Sequence, residues 1–140
     1  LGRSPFTNLL NQLGELDIAI IEQVLKTLKI DRIQDQLTTK VSDGERQIAM
    51  IGKALAQSTR SILLDEPTAF LDYSNRKKVL QLLKDLAAKE RKLILVSSHD
   101  IELCLSYADR IIAVDQDKKY LQEFQPPFSK DEIVKQIFDA

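Results

Sequence analysis

The stretch Ser61-Ile62-Leu63-Leu64-Asp65-Glu66-Pro67-Thr68 decides the fold of this chain. A short apolar run of this kind is typical of a strand buried on both faces of a parallel sheet. Pro67 has no backbone N–H and disfavours helical backbone at Glu66, so the strand is predicted to end there. Open α/β sheets bind ligands at the carboxyl ends of their strands, where Asp65 and Glu66 stand. The two acids therefore indicate a site for a metal ion and a water molecule.

The two neighbouring acids are suited to different tasks. Adjacent strand residues point to opposite faces, so Asp65 and Glu66 cannot chelate one ion symmetrically. Asp65 is predicted to hold a hard cation such as Mg²⁺, which prefers oxygen ligands and keeps several waters. Glu66 would then orient or deprotonate an attacking water. Two solvated acids at a strand end are the structural alternative, and the pair alone leaves both interpretations open.

Length and composition indicate one modest globular domain of 140 residues. Lys plus Arg (20) nearly balances Asp plus Glu (21), so no global basic field points to nucleic acid. The single cysteine, Cys104, excludes an internal disulfide framework and favours a reducing compartment. No apolar run approaches the roughly 20 residues of a membrane span, and no signal peptide is visible. Any link to a membrane is therefore expected to come through a partner protein.

Apolar periodicity and breaker residues predict alternating helices and strands. The predicted helices follow a connector over residues 1–14 and span residues 15–29, 33–37, 43–57, 75–89, 101–107 and 130–138. The predicted strands span residues 62–65, 93–96, 111–114 and 120–124, the last two forming a hairpin. Asp17 is expected to cap the first helix, whose Ile18, Ile21, Leu25 and Leu28 are expected to face the core. This order is α/β, with a parallel sheet flanked by helices.

The segment Ser42-Asp43-Gly44-Glu45 matches the capping-box pattern, Ser followed three residues later by Glu. Taken alone, the pattern most simply predicts a helix start. The same geometry can receive a phosphate, because a helix N-terminus offers unpaired N–H groups and Gly44 allows close approach. Asp43 and Glu45 argue against a phosphate, since they already occupy that favourable field.

His99 is the only histidine, and it follows the second apolar strand. A lone histidine after a strand is commonly structural. The flanking Ser97, Ser98 and Asp100 make its surroundings polar, which favours a switch or a phosphate-sensing role. Cys104 lies among leucines and is predicted to be a core residue rather than a reactive thiol.

The order and spacing of these features together resemble an ATP-binding cassette (ABC) ATPase over about residues 1–115. In that family's terms, residues 41–45 stand at the signature motif, 62–66 at Walker B, 70–72 at the D-loop and His99 at the switch histidine. The resemblance implies a partial P-loop NTPase domain, with a parallel sheet flanked by helices plus a helical subdomain. It divides the chain into a connector and helical subdomain over 1–60, the carboxyl half of the RecA-like core over 61–125 and a C-terminal helix over 126–140.

The resemblance also implies catalytic and metal-binding roles, with ATP and Mg²⁺ as cofactors. Asp65 would hold Mg²⁺ through water, and Glu66 would be the catalytic glutamate that polarises the hydrolytic water. His99 would contact the γ-phosphate.

A second set of implied residues faces ATP held by the opposite subunit of a head-to-tail dimer. Ser42 and Gly44 would bind its γ-phosphate, with Glu45 in the same motif, and Asp72 would couple the two subunits. The motif departs from the family's usual Leu-Ser-Gly-Gly-Gln at Val41, Asp43 and Glu45. Acids beside a phosphate are expected to weaken this contact.

The phosphate-binding loop of the family, G-x-x-x-x-G-K-[ST], is absent from the sequence. Gly52-Lys53-Ala54 lies inside a predicted helix and follows no strand. The resemblance also implies that the A-loop and Q-loop lie before residue 1 of a longer ATPase, and the chain begins without methionine, as a fragment would. We therefore expect no ATP hydrolysis by this chain alone. We also expect the gap left by the Walker A strand to be closed by re-pairing of residues 111–114, or by exchange of elements between chains.

The opening segment, residues 1–8, resembles the segment beyond the Q-loop in importers of iron chelates, haem and vitamin B12. The first hypothesis is therefore part of the ATPase subunit of such an importer, cytoplasmic and peripheral at the inner face of the membrane. Its implied partners are a second copy and membrane permease subunits, with no nucleic acid and no direct membrane insertion. One alternative is an ABC ATPase of the DNA-repair or translation-factor kind, although no long coiled-coil or basic insertion is visible. The other alternative is a non-enzymatic interaction module.

Overall fold

Helices and strands alternate along the part of the chain described by this computed structural model, namely Arg3, residues 12–115 and residues 119–137. The chain divides into two units, residues 1–97 and residues 98–140. The first unit contains α1 (Glu15–Leu28), α2 (Asp43–Leu55), β1 (Ser61–Leu64), α3 (Tyr73–Glu90) and β2 (Leu93–Val96). The second contains α4 (Ile101–Tyr107), β3 (Ile111–Asp115), β4 (Tyr120–Phe124) and α5 (Lys130–Ile137). The predicted α/β order is confirmed.

Two local predictions fail at the amino-terminal side of the first unit. The short helical piece expected over residues 33–37 is replaced by two 3₁₀ turns, Asp31–Ile33 and Thr38–Lys40. The cap of α1 is Gly14 rather than Asp17, which lies in the first helical turn. The Asp17 carboxylate makes two other contacts. It accepts a hydrogen bond from the Gly14 N–H at 3.1 Å, and it forms a buried ion pair with Arg3 at 2.5 Å. The hydrogen bond from Arg3, followed by that from Gly14, lowers the pKa of Asp17 below its ordinary value.

The core of the first unit lies between α1, α2, α3 and one face of β1 and β2. Its buried members are Leu28, Ile30, Ile33, Ile51, Leu55, Ile62, Leu71, Val79, Leu83 and Leu86. The carboxyl half of α1 contributes to this core as predicted. The prediction fails at its amino end, where Ile18 is 47% exposed and Leu16 is 81% exposed. The part of the chain covered by the structure contains no helix long and apolar enough to cross a membrane.

The two strands of the first unit pair in parallel, with Leu64 opposite Val96 at their carboxyl ends. Ile62, Leu64, Ile94 and Val96 face the core. Leu63, Leu93 and Leu95 alternate with them and are 74%, 67% and 50% exposed. The expectation that β1 is buried on both faces is therefore wrong, since the described helices of this unit pack on only one side of the sheet. We call Leu63, Leu93 and Leu95 the leucine face.

The second unit contains the predicted hairpin, in which β3 and β4 pair antiparallel. Phe124 of β4 and Ile133 of α5 form its small core, against Leu105, Ile111, Ala113 and Phe128. A turn is predicted over residues 115–118; Asp115 ends β3, and residues 116–118 lie outside the described residues. Among the described strands, β1 pairs with β2 and β3 with β4, in separate sheets. Direct re-pairing of residues 111–114 with the first sheet is therefore not formed, and exchange of elements between chains stays a prediction.

The capping box that opens α2 is formed as predicted. The Ser42 Oγ accepts the Glu45 N–H at 3.3 Å, and the Ser42 N–H donates to Glu45 Oε2 at 2.9 Å. Further along α2, Gly52 is buried where α2 packs on α1. A Cβ atom added there would lie 2.9 Å from Leu28 Cδ1 and 3.4 Å from Val24 Cγ1. Gly52 therefore allows α1 and α2 to pack closely. This agrees with the prediction that Gly52 lies inside a helix and is not part of a phosphate-binding loop.

Replacing Gly52 with valine is expected to destabilise the first unit by about 1–3 kcal/mol, because the new methyl groups overpack the contact between α1 and α2. Urea unfolding followed by far-UV circular dichroism measures the loss. Ala49→Val is the matched control, since Ala49 is exposed on the same helix. Equal stability of the two variants would contradict this account of Gly52.

The stability of the chain is expected to depend on pH through Glu45. The Ser42 backbone N–H, and then the Ser42 hydroxyl, hold the pKa of Glu45 below its ordinary value of 4.5. The resulting stabilisation is complete above pH 4.5 and is lost as the pH falls through the lower folded-state value. The native chain should therefore be more stable than Glu45→Gln at pH 7, and the difference should shrink as the pH falls below 4.5.

Unfolding of both chains between pH 7 and pH 3 tests this expectation. Glu22→Gln, which neutralises an exposed acid on α1, controls for the loss of one negative charge. A difference between the native chain and Glu45→Gln that stays constant across this range would contradict the proposed source of the stabilisation.

Candidate functional site

The acid pair predicted from the sequence lies where β1 ends, beside the residue that follows β2. The Ser97 N–H donates to the Leu64 carbonyl at 3.0 Å, which continues the parallel ladder by one bond. The Ser97 Oγ donates to Asp65 Oδ1 at 2.5 Å and accepts the Glu66 N–H at 2.9 Å. One hydroxyl therefore contacts the carboxylate of the first acid and the backbone of the second.

The backbone bends sharply at the second acid. Glu66 has a φ of +42°, in the left-handed region that non-glycine residues seldom occupy. The Ala69 N–H donates to the Glu66 carbonyl at 3.0 Å, which closes a turn. Pro67 and Thr68 are buried within this turn, whereas Asp65 and Glu66 stay exposed. The bend thus anchors the loop in the protein while it leaves both acids accessible to a ligand.

Asp65 suits Mg²⁺ by the chemistry of its oxygen donors, although it would need further ligands. No group of three or more His, Cys, Asp or Glu side chains within the described residues is arranged to hold a metal. Mg²⁺ is commonly held by one or two carboxylates together with waters and the phosphates of a nucleotide. A single exposed carboxylate at a strand end fits that pattern, and it does not fit a metal site built by protein alone.

Asp72, the predicted D-loop acid, is the N-cap of α3. Its Oδ1 accepts the Asn75 N–H at 2.9 Å and its Oδ2 accepts the Asn75 side-chain amide at 2.7 Å. The hydrogen bond from the Asn75 backbone, more than that from its side chain, lowers the pKa of Asp72. The Asn75 side chain also lies against Gly44, where an added Cβ would approach it to 3.5 Å. Asn75 is thus hydrogen-bonded to Asp72 and lies near the start of α2.

The start of α2 carries two acids, and each is paired with an arginine. Arg46 Nη2 lies 2.6 Å from Asp43 Oδ1, and Arg32 Nη2 forms an ion pair with Glu45 Oε1. The arginine of each pair is exposed, so each pair adds little stability. They nevertheless balance the negative charge locally, which reduces the repulsion that a phosphate would meet at this helix start.

His99 lies in the second unit, two residues before the start of α4, and its side chain is exposed. Asp100 caps α4, because its Oδ1 accepts the Leu103 N–H at 3.1 Å. Cys104 on α4 is half-buried, and burial raises the pKa of its thiol. This environment agrees with a packing role for Cys104 rather than a reactive one.

The structure therefore brings the predicted residues together in two places within the first unit. Asp65 and Glu66 meet at Ser97, whereas Gly44 and Asp72 meet at Asn75. Ser97, Asn75 and Arg32 were not singled out for these contacts from the sequence. The position of Ser97 directly after β2 was the available signal, since parallel strands place their carboxyl ends at one edge.

The comparison with known proteins gives a consistent picture. The family model described as "ABC transporter" matches residues 5–69. The achromobactin transport ATP-binding protein of Dickeya dadantii is 36% identical over 139 residues, which are 99% of this chain and 52% of that protein. The cobalamin import ATP-binding protein of Halobacterium salinarum is 32% identical over 114 residues, which are 81% of this chain and 28% of that protein.

A solved structure described as an inward-facing metal-chelate type ABC transporter superimposes with a TM-score of 0.88 at 27% identity. The match covers 99% of this chain and 55% of that one. The chain spans about half the length of the curated relatives it matches. On this evidence the chain belongs to the ABC transporter family and is part of an ATP-binding cassette domain.

Proposed function

We propose that this chain supplies the signature helix, the Walker B acids, the D-loop and the switch histidine of an ATPase subunit that energises an importer. The proposed cargo is an iron-siderophore, haem or cobalamin. The relatives named for achromobactin and cobalamin support this choice of cargo class. The observation that carries the proposal is the grouping of Asp65, Glu66 and Ser97 at the carboxyl ends of two parallel strands.

The two acids would divide the chemistry of hydrolysis between them. A bound Mg²⁺ would neutralise charge on the phosphates of ATP. Asp65 would hold that ion through water, with its carboxylate oriented by the Ser97 hydroxyl. Glu66 would orient the attacking water and accept its proton, as a carboxylate within hydrogen-bond reach can do. The bend at Glu66 supports this role because it presents the exposed residue beyond the end of the strand.

The start of α2 would contact the γ-phosphate of ATP held by a second copy of the subunit. Ser42 would offer its hydroxyl, and Gly44 would allow the phosphate to approach the backbone N–H groups. Glu45 would keep Ser42 in place through the capping box. Asp72 would couple the two subunits, since its side chain is hydrogen-bonded to Asn75, which lies near Gly44 at the helix start. His99 would contact the γ-phosphate.

The leucine face supports the proposal that this chain works as part of a larger cassette. Parallel sheets are normally covered on both faces, and here three leucines of one face are at least half exposed. The matched relatives carry about as much additional sequence as this chain contains. We propose that part of that additional sequence covers the leucine face and brings the phosphate-binding loop.

The remaining partners follow from the proposed transport role. They are a second copy of the ATPase subunit and membrane permease subunits, which would hold the protein at the cytoplasmic face of the membrane. The near balance of 20 basic and 21 acidic residues favours a protein partner over direct adsorption to anionic lipid.

The purified 140-residue chain is expected to hydrolyse no ATP in the presence of Mg²⁺, because it has no loop or lysine to hold the β- and γ-phosphates. Phosphate release measured at micromolar enzyme and millimolar ATP tests this. Turnover that disappears on Glu66→Gln would contradict the expectation.

A chimera provides the positive test of the proposed function. The residues of the achromobactin relative that precede its aligned segment would be joined to this chain, and ATP hydrolysis would be measured. We expect hydrolysis by the chimera, and we expect Glu66→Gln to lower kcat by about 100-fold or more while ATP binding is kept.

Glu22→Gln is the matched control for the chimera, since it makes the same chemical change at an exposed site on α1. Equal kcat values for the Glu66→Gln and Glu22→Gln chimeras would overturn the role proposed for Glu66. A well-folded chimera that binds ATP and does not hydrolyse it would overturn the proposed ATPase function of this segment.

A further inference from the structure

Ser97 contacts the loop that begins with Asp65 and Glu66, which we call the acid loop. It makes more polar contacts there than continuation of the strand pairing requires. Its N–H donates to the Leu64 carbonyl at 3.0 Å, its Oγ donates to Asp65 Oδ1 at 2.5 Å, and the same Oγ accepts the Glu66 N–H at 2.9 Å. The backbone bond continues the sheet. The other two bonds depend on the hydroxyl, which uses its proton for one acid and its lone pair for the other.

The backbone at Glu66 needs such support. A φ of +42° is unfavourable for glutamate, and residues before proline are already restricted. Strained backbone of this kind persists only where the surrounding structure holds it. The Ser97 hydroxyl meets this requirement, because it accepts the amide hydrogen of the strained residue itself.

The two hydroxyl bonds have a joint consequence. The bond to Asp65 fixes the orientation of that carboxylate, and the bond to the Glu66 N–H fixes the direction in which the glutamate side chain leaves the backbone. We propose that Ser97 is a positioning residue for the acid pair, setting both acids through a single oxygen atom. This inference rests on the proposed function of the acids, although the positioning itself is measurable without catalysis.

Ser98 offers a matched comparison one residue further along. Its Oγ accepts the Asp100 N–H at 3.1 Å, so its hydroxyl serves the start of α4. Removal of the Ser98 hydroxyl changes the same chemical group in the same segment. The two serines therefore separate positioning of the acid pair from a general effect on this loop.

Amide hydrogen exchange in the 140-residue chain, followed by NMR, tests the positioning directly. Ser97→Ala is expected to speed exchange of the Glu66 amide by about tenfold, because that amide loses its acceptor. Ser97→Thr, which keeps the hydroxyl, should stay close to the native rate. Ser98→Ala should leave the Glu66 amide unchanged, and the amides of β1 and β2 should keep their protection in all three variants.

Ser97→Cys extends the test should the alanine variant fold poorly, since sulfur is a weaker acceptor in a side chain of similar shape. An intermediate exchange rate at Glu66 is expected for it. Unchanged exchange of Glu66 in Ser97→Ala would overturn the proposal. So would a threonine variant that behaves like alanine, or a Ser98→Ala effect of equal size.

The chimera links this positioning to chemistry. There, Ser97→Ala should lower kcat by about tenfold with little change in the KM for ATP, and Ser97→Thr should restore it, because the lost contact orients reacting groups rather than binding nucleotide. A loss confined to KM would overturn the positioning role. A chimera without activity would count against the proposed function alone, since the exchange rates judge Ser97 independently.

Discussion

The parallel pairing of β1 with β2 is the constraint on which the candidate site depends. Apolar residues at alternate positions set the register, because Ile62 and Ile94 must face the helices together. That register places the two strand ends level, so that Ser97 meets the acid loop. A slip of one residue would turn the core leucines and isoleucines toward solvent and carry Ser97 away from Asp65. Burial of the apolar side chains thus fixes the positions of Ser97 and Asp65, although these two polar residues are not part of the apolar core.

The loop that leads from the acid pair to Asp72, the N-cap of α3, is held at both ends. At its beginning, the Ser97 hydroxyl is hydrogen-bonded to Asp65 and Glu66. Near its end, Leu71 is buried in the core, and Arg76 Nε donates to the Leu71 carbonyl at 2.7 Å. Between these anchors Phe70 is 96% exposed, with a φ of +65°. The strain in this loop is therefore concentrated at Glu66 and Phe70, two positions that the anchors prevent from relaxing.

Local features of the sequence predicted much of this fold, because they act over a few residues. Periodicity located the five α-helices of the described residues, and the Ser42 side chain supplied the cap that the capping-box pattern indicated. The Ser42 and Glu45 capping box illustrates this well, since every group it needs lies within four residues.

Features that depend on distant parts of the chain could not be predicted in the same way. Asp17 was expected to cap α1, and its carboxylate is instead neutralised by Arg3, fourteen residues earlier. The burial of β1 was overestimated for a related reason, since an apolar strand does not reveal how many of its faces the available helices cover. Ser97 was visible as a polar residue after a strand, and its contacts with Asp65 and Glu66 depend on a pairing across more than thirty residues.

At the start of α2, Glu45 stands where the signature motif of the ABC family commonly has glutamine. A capping box works with either residue, because both offer an oxygen to the N-cap backbone. Glu45 adds a negative charge, and Arg32 supplies the opposite charge by pairing with its second oxygen. The helix start therefore keeps its cap and gains no unbalanced charge that would repel a phosphate. Arg32 lies outside the motif, so the motif alone does not reveal that the charge of Glu45 is balanced.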